Sequence, residues 1–423
     1  MSNGKVVILG GGFAGINAAK ALGNSKFDVW LIDKTNHHLF QPLLYQVASA
    51  ALSPGDIAVP IREILSAYEN ITVLMGEVIG IDKEKNEVLL KNHDKIGYDY
   101  LIISLGARHS YFGNDAWEPF APGLKTLADA LKIRERILLS FEKAERCDII
   151  SEAKKYLNFV IIGGGPTGVE MAGAIAEIAY HTMLKNFRRI DTTKTKIYLI
   201  EGAPHILAAY PESLSSKAKK YLEHFGVQVI TGKRVTHVDA NGVQIEGQLI
   251  PAENIVWAAG NQASPVLSTL NVPLDRQGRV MVGADLTIPE HPEIFVLGDA
   301  ACAMDKNGKP LPGLAPVAVQ QGRFAAQMIR RQLPPKEHPP FVYLDKGSMA
   351  TIGKTKAVGM FGKLQFSGLI AWLTWCFIHI LYLIGFRNRA VVLTQWLFSY
   401  FSGHRGARLI NRPIDEEMPH VHH

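Results

Sequence analysis

The sequence predicts an α/β chain of two Rossmann-like, doubly wound parallel-sheet domains followed by an apolar, amphipathic helical appendage. Three observations predict it. The stretch KVVILGGGFAG (5–15) returns as NFVIIGGGPTG (158–168). Each copy leads to a second apolar strand that ends on an acid, FDVWLID at Asp33 and KIYLIE at Glu201. Residues 364–386 contain no Asp, Glu, Lys or Arg, and aromatic residues crowd between Phe361 and Phe401. A βαβ unit that occurs twice implies two parallel sheets with helices on both faces.

Each fingerprint is a β-branched run, then G-x-G-x-x-G, then a helix-forming stretch. Gly10 makes the tight turn, Gly12 lets the backbone approach a pyrophosphate, and Gly15 lets helix and strand pack closely. Gly163, Gly165 and Gly168 repeat this design. The helix N-terminus then faces phosphates with free N–H groups and the positive end of its dipole. Asp33 and Glu201 stand where an acid accepts hydrogen bonds from ribose hydroxyls. Glu201 is followed by Gly202, Ala203 and Pro204, with no neighbouring Arg or Lys for a 2′-phosphate, which favours NADH over NADPH.

Later elements fit the same frame. IFVLGDA (294–300) is a strand ending at Gly298-Asp299, a second flavin contact through Asp299. LIISLGA (101–107) and IVWAAG (255–260) are strand-to-glycine turns at matching places in the two halves, with Gly106 and Gly260 at the turns. LAPVAVQQG (314–322) reads as a helix start, because Pro316 suits the first helical position. Gln320 and Gln321 follow about one turn in.

Composition narrows the function classes. At 423 residues the chain is long enough for two or three domains and a substantial core. A net charge of +6 suits an anionic surface or substrate and does not single out nucleic acid. Cys147, Cys302 and Cys376 lie far apart and none is in a CxxC. That argues against a disulfide framework, a Cys-rich zinc site or an iron–sulfur cluster, and no metal is expected. The start MSNGKVVILGGG runs almost directly into a strand, so a signal or transit segment is not expected.

Beyond these motifs, HHLFQPLLYQVASAALSPGDIAVPIR (37–62), LAPVAVQQGRFAA (314–326), KGSMATIGK (346–354) and GFRNR (385–389) with RGARLI (405–410) resemble the type II NADH:quinone oxidoreductases. These are single-subunit, non-pumping NADH dehydrogenases of the glutathione-reductase-like flavoprotein superfamily with two dinucleotide-binding domains. The resemblance implies FAD on the first fingerprint, held by Gly10, Gly12, Phe13, Ala14, Gly15, Asp33, Lys34, Gln46, Val78, Gly106, Asp299, Pro316 and Val317. It implies NADH on the second, held by Gly163, Gly165, Pro166, Thr167, Gly168, Glu170, Glu201 and Gly260. It gives chemical roles to Glu170 at the nicotinamide, to Gln320 and Gln321 at a quinone carbonyl, and to Lys346 nearby. Read without the resemblance, Glu170 is equally a first-turn glutamate complementing the helix dipole, and Lys346 an ordinary lysine before a turn glycine. The family often has Gln where this chain has Pro316, which removes one side-chain contact. The implied domains are a split FAD domain (1–118 and 276–345), an NADH domain (119–275) and a region for membrane association and dimerisation (346–423).

The uncharged run is long enough to cross a bilayer if it is one helix. Trp372, Trp375, Phe377 and Tyr382 also suit a membrane interface. With Arg387, Arg389, Arg405 and Arg408 around a second apolar stretch, residues 364–410 read as a two-helix hairpin on one leaflet, its arginines at anionic headgroups. A single span and a buried dimerisation hairpin are the alternatives. The expected protein is a peripheral, monotopic homodimer on the cytoplasmic face of the cell membrane, taking NADH and quinone. Its rivals are a cysteine-free FAD reductase for a ferredoxin-like acceptor and a membrane-tethered NADH sensor.

Overall fold

The computed structural model describes residues 4–402 and 405–410; the rest of the expected C-terminal region lies outside the described residues. In chain order the elements that position the sites begin with β1 (Lys5–Leu9), α1 (Phe13–Leu22), β2 (Asp28–Asp33), α2 (Leu44–Ala48), β3 (Ile71–Met75) and β4 (Tyr100–Ile103). Then come β5 (Asn158–Ile162), α3 (Pro166–Glu177), β6 (Lys196–Glu201), β7 (Val227–Thr231) and β8 (Asn254–Trp257). Last are β9 (His291–Val296), α4 (Ala315–Arg331), β10 (Ser348–Thr351), α5 (Leu369–Tyr382) and α6 (Phe386–Ser402). The chain divides into two compact units. One ends its first segment at Leu39 and adds Ala58–Arg108 and Asn261–Lys346; the other takes Phe40–Ile57, His109–Gly260 and the chain from Gly347 onward.

The first unit is built on a six-stranded sheet ordered Thr287–Ile288, β9, β4, β1, β2, β3. Its central strands are parallel, with Val7 level with Trp30 on one side and Leu101 on the other. Residues 6–9 are fully buried, as a strand covered on both faces requires. Helix α1 crosses α4 so closely that a Cβ on Gly322 would fall 2.2 Å from the Ala14 carbonyl oxygen.

The second unit repeats the plan with a parallel sheet ordered β7, β6, β5, β8 and helix α3. It adds an antiparallel sheet of β10, Ala357–Phe361 and Leu364–Ser367. That pairing corrects the single-span alternative. The first residues of the uncharged run join a sheet ladder, Gly368 turns the chain at φ +77°, and only then does α5 begin. Its 14 residues reach about 21 Å, short of a hydrocarbon core of about 30 Å. No helix among the described residues is long and apolar enough to cross a membrane.

Helices α5 and α6 pack through Trp375 on Trp396, with ring centroids 5.5 Å apart, and Trp372 on Tyr400. Ala371, Trp375 and Val392 are buried, whereas Ile370, Phe377, Phe386, Phe398 and Phe401 face outward. The expectation that every C-terminal arginine meets headgroups fails at Arg405. It is 6% exposed and ion-paired with Glu177, because α3 offers a buried carboxylate there.

Candidate cofactor and substrate sites

The two fingerprints are near copies in three dimensions. Gly10 and Gly163 sit at φ +98° and +110°, where a side chain is strained. A Cβ on Gly15 would lie 1.8 Å from the Gly10 oxygen, and one on Gly168 would lie 1.9 Å from the Gly163 oxygen. Open space lies beside Gly12 and Gly165, the residues that begin α1 and α3. Neither helix has a side-chain cap, so its first-turn N–H groups are available to an anion.

Each acid clamps its own glycine loop. Asp33 accepts the Gly11 N–H and the Thr35 N–H, both at 2.6 Å. Glu201 accepts the Gly164 N–H at 2.6 Å and the Ala203 N–H at 2.7 Å. A carboxylate has about four acceptor directions, so each acid keeps capacity for ribose hydroxyls. An open glycine, an uncapped helix and a clamped acid fit a dinucleotide pyrophosphate and ribose at both places.

The remaining first-unit residues differ in exposure and in the elements that carry them. Gly106 turns at φ +69° beside open space, and Lys34 and Lys346 are exposed. Asp299 stands in the turn Gly298–Ala300, and Pro316 and Val317 form the first turn of α4 with no side-chain cap. Ala14 and Val78 bury their side chains. Phe13 lies edge-on to His38, whose Nδ1 pairs with the Gly11 carbonyl while burial lowers its pKa. The two glutamines of the expected quinone contact both make hydrogen bonds within the unit. Gln321 is 1% exposed and its Oε1 accepts the Gly298 N–H at 2.6 Å, holding the Gly-Asp turn. Gln320 uses both ends of its amide on the Leu344 backbone at 3.0 Å.

In the second unit, Thr167 and Glu170 on α3 line a small pocket with Gln41, Leu44, Tyr45, Leu124 and Lys125. Pro166 opens the helix, and Gly260 turns at φ +74° where a Cβ would meet the Phe112 ring at 2.6 Å. Burial pushes the Glu170 carboxyl up to about 8, opposed only by a long 3.5 Å hydrogen bond from the Thr351 N–H. Burial likewise holds Tyr45 well above its usual range, with the Glu170 charge adding to it. Gln46, an expected flavin contact, has its side-chain amide in hydrogen bonds within this unit. It accepts from Trp396 Nε1 at 2.7 Å and donates to Tyr45 Oη at 2.9 Å.

Sequence reasoning missed Tyr45, Lys125 and Trp396 as pocket and support residues. The 37–62 stretch pointed to the region but not to which side chain faces the pocket. It also missed Arg234. A Cβ on Gly202 would lie 3.2 Å from Arg234 Cγ, so the register of β6 with β7 brings a guanidinium to the Glu201 turn. Neighbours in sequence alone showed no such cation.

The pyridine nucleotide-disulphide oxidoreductase family model matches residues 4–322, and the NDH2 C-terminal domain model matches residues 346–405. The type II NADH:quinone oxidoreductase Ndh of Mycobacterium tuberculosis is 44% identical over 417 residues, covering 95% of this chain and 89% of that protein. The chain belongs to the type II NADH:quinone oxidoreductases. The NdhA protein of the same organism is 43% identical over 96% of the chain and 89% of its own length. The fold matches NDH2 from Plasmodium falciparum in complex with NADH at a TM-score of 0.88 and 22% identity, covering 96% and 99% of the two chains. As a member of this family the chain is an NADH:quinone oxidoreductase, a flavoprotein using FAD and NADH.

Proposed function

We propose that the chain is a peripheral membrane enzyme that draws electrons from NADH through FAD to quinone without moving protons across the membrane. The observation that carries this reading is the duplicated fingerprint, with an open glycine, an uncapped helix and a clamped acid in each unit. On this reading Gly10, Gly12, Gly15, Asp33 and Asp299 hold FAD, and Gly163, Gly165, Gly168 and Glu201 hold NADH. Bound FAD supplies the hydride acceptor and the two-electron donor, and the protein supplies orientation and electrostatics. Gln321 keeps the Gly298–Asp299 turn in shape. Glu170, which lines its pocket, is largely protonated near neutral pH. It therefore has a proton to offer a carbonyl oxygen or the quinol. The free cysteines take no redox part.

The outward apolar side chains of α5 and α6 support association with a lipid surface. Phe386 and Phe401 are 87% and 83% exposed, and an apolar face of this size on a water-soluble body demands a cover. The non-pumping character and the cytoplasmic-face location rest on the family resemblance. The homodimer read from the sequence would cover part of the same hairpin.

The test is anaerobic addition of NADH to the purified protein, following flavin absorbance, and then of a short-chain quinone. Bleaching by NADH and prompt recovery with quinone is the expected result. Bleaching without recovery would move the acceptor to another molecule, and no bleaching would overturn the reading.

A further inference from the structure

The indole N–H of Trp396 can only donate, and it donates to Gln46 Oε1 at 2.7 Å. That contact fixes which end of the Gln46 amide faces inward. Its NH2 group must then face the Tyr45 hydroxyl, to which it donates at 2.9 Å. A hydroxyl oxygen that accepts from an amide turns its own proton elsewhere. Among the described residues, no hydrogen bond donated by the Tyr45 hydroxyl is found. Tyr45 is 8% exposed and borders the pocket it shares with Thr167 and Glu170. The ring also packs edge-on with Trp375, at 6.4 Å between centroids.

We propose that Tyr45 is a substrate-binding residue whose hydroxyl proton is aimed at a carbonyl oxygen in the Glu170 pocket, with Trp396 and Gln46 as positioning residues that set its direction. The inference rests on the electron path proposed above. The ligand group is a carbonyl oxygen, and two sources present one: the nicotinamide carboxamide and the quinone. Burial keeps Tyr45 protonated over the whole working pH range, so it serves as a hydrogen-bond donor and not as a base. The relay also runs from the hairpin inward: a residue of α6 decides the polarity of a group in the Glu170 pocket.

The experiment separates the two half-reactions in the holoenzyme. Flavin bleaching is measured against NADH concentration, and recovery of the bleached enzyme against the concentration of a short-chain quinone. Tyr45→Phe keeps the ring and removes the proton. One neutral hydrogen bond is worth roughly 0.5–1.5 kcal/mol, so the half-saturation constant of one half-reaction should rise about 2- to 12-fold. A rise confined to NADH assigns the carboxamide, and one confined to quinone assigns the quinone carbonyl. Trp396→Phe keeps the packing and frees the amide to flip, so it should raise the same constant. The double variant should be no worse than Tyr45→Phe alone. Gln46→Glu offers Tyr45 only an acceptor and should reproduce the same selective rise. Flavin content and melting temperature of each variant show that it is folded. If wild-type enzyme completes both half-reactions and folded Tyr45→Phe matches it in both, the assignment to Tyr45 is overturned. If Tyr45→Phe is impaired but Trp396→Phe is not, the positioning relay is overturned. Failure of the wild-type enzyme itself would count against the proposed electron path.

Discussion

Arg405 Nη2 donates to Glu177 Oε2 at 2.6 Å while its Nη1 donates to the Ser49 carbonyl at 2.6 Å. This pair ties the segment after α6 to the end of α3 and to the turn after α2. The Lys354 N–H also donates to the same glutamate, and Lys354 Nζ caps α6 at the Ser399 carbonyl. Arg405→Ala leaves Glu177 buried without its ion-pair partner, a loss of about 3–5 kcal/mol when one partner of a buried pair is removed. Urea unfolding should show a lower midpoint with an unchanged slope. A variant as stable as the parent would mean that the pair contributes little.

Glu170 should govern a pH dependence. Its carboxyl lies at about 8 in the folded chain against an ordinary 4.5, so folding favours the protonated form. The stability it contributes is fully present below 4.5 and is lost as pH rises through about 8. Glu170→Gln removes that titration. The melting temperature of the variant, compared with the parent's, should gain steadily between these two pH values. Parallel curves for the two proteins would contradict the assignment.

Glu201→Arg should weaken NADH use and favour NADPH in relative terms. The variant loses the acceptor of the Gly164 and Ala203 N–H groups and places a cation beside Arg234. The ratio of kcat/KM for the two nucleotides is the readout. An unchanged ratio would remove the acid from nucleotide selection. Arg234→Ala in the same background should return part of the lost preference if that guanidinium helps to hold the added phosphate.

Gly15→Ala should empty the first fingerprint. The new methyl would meet the Gly10 oxygen at 1.8 Å, so helix and strand must separate where the pyrophosphate is cradled. Purified variant should carry far less flavin per chain than the parent, measured by visible absorbance after denaturation. Gly168→Ala should spare the flavin and weaken NADH instead.

Phe377→Ser with Phe401→Ser should lower affinity for vesicles. Both side chains are outward, at 68% and 83% exposure, and burying one such group is worth about 1.5–3 kcal/mol. Flotation with vesicles of mixed neutral and anionic lipid should show more than a tenfold loss. Retained binding would move the contact to another face.

The local sequence carried the two sheets well. A β-branched run, three spaced glycines and a terminal acid specify strand, turn and helix, and the acid lies only 22 or 37 residues from the glycine it clamps. The distances at Gly15, Asp33, Gly168 and Glu201 follow that plan. The same reasoning faltered where a side chain's partner is remote in the chain. Spacing alone does not show that Gln320, Gln321 and Gln46 each have a hydrogen-bond partner in another segment. An uncharged run likewise says nothing about whether its first residues will pair as a strand, as Leu364–Ser367 do.

What the sequence alone determined is the pair of nucleotide folds, the acids that end their strands, and the apolar character of the C-terminal hairpin. These depend on residue type and short spacing, because glycine conformation, strand alternation and helix starts are local properties. Only the tertiary structure decided that Arg405 is buried with Glu177, that Arg234 reaches the Glu201 turn, and that Trp396 orients Gln46 toward Tyr45. The physical reason is that burial and hydrogen-bond polarity are set by which distant segments pack together. A polar side chain becomes a ligand group or an internal strut only when its partner arrives.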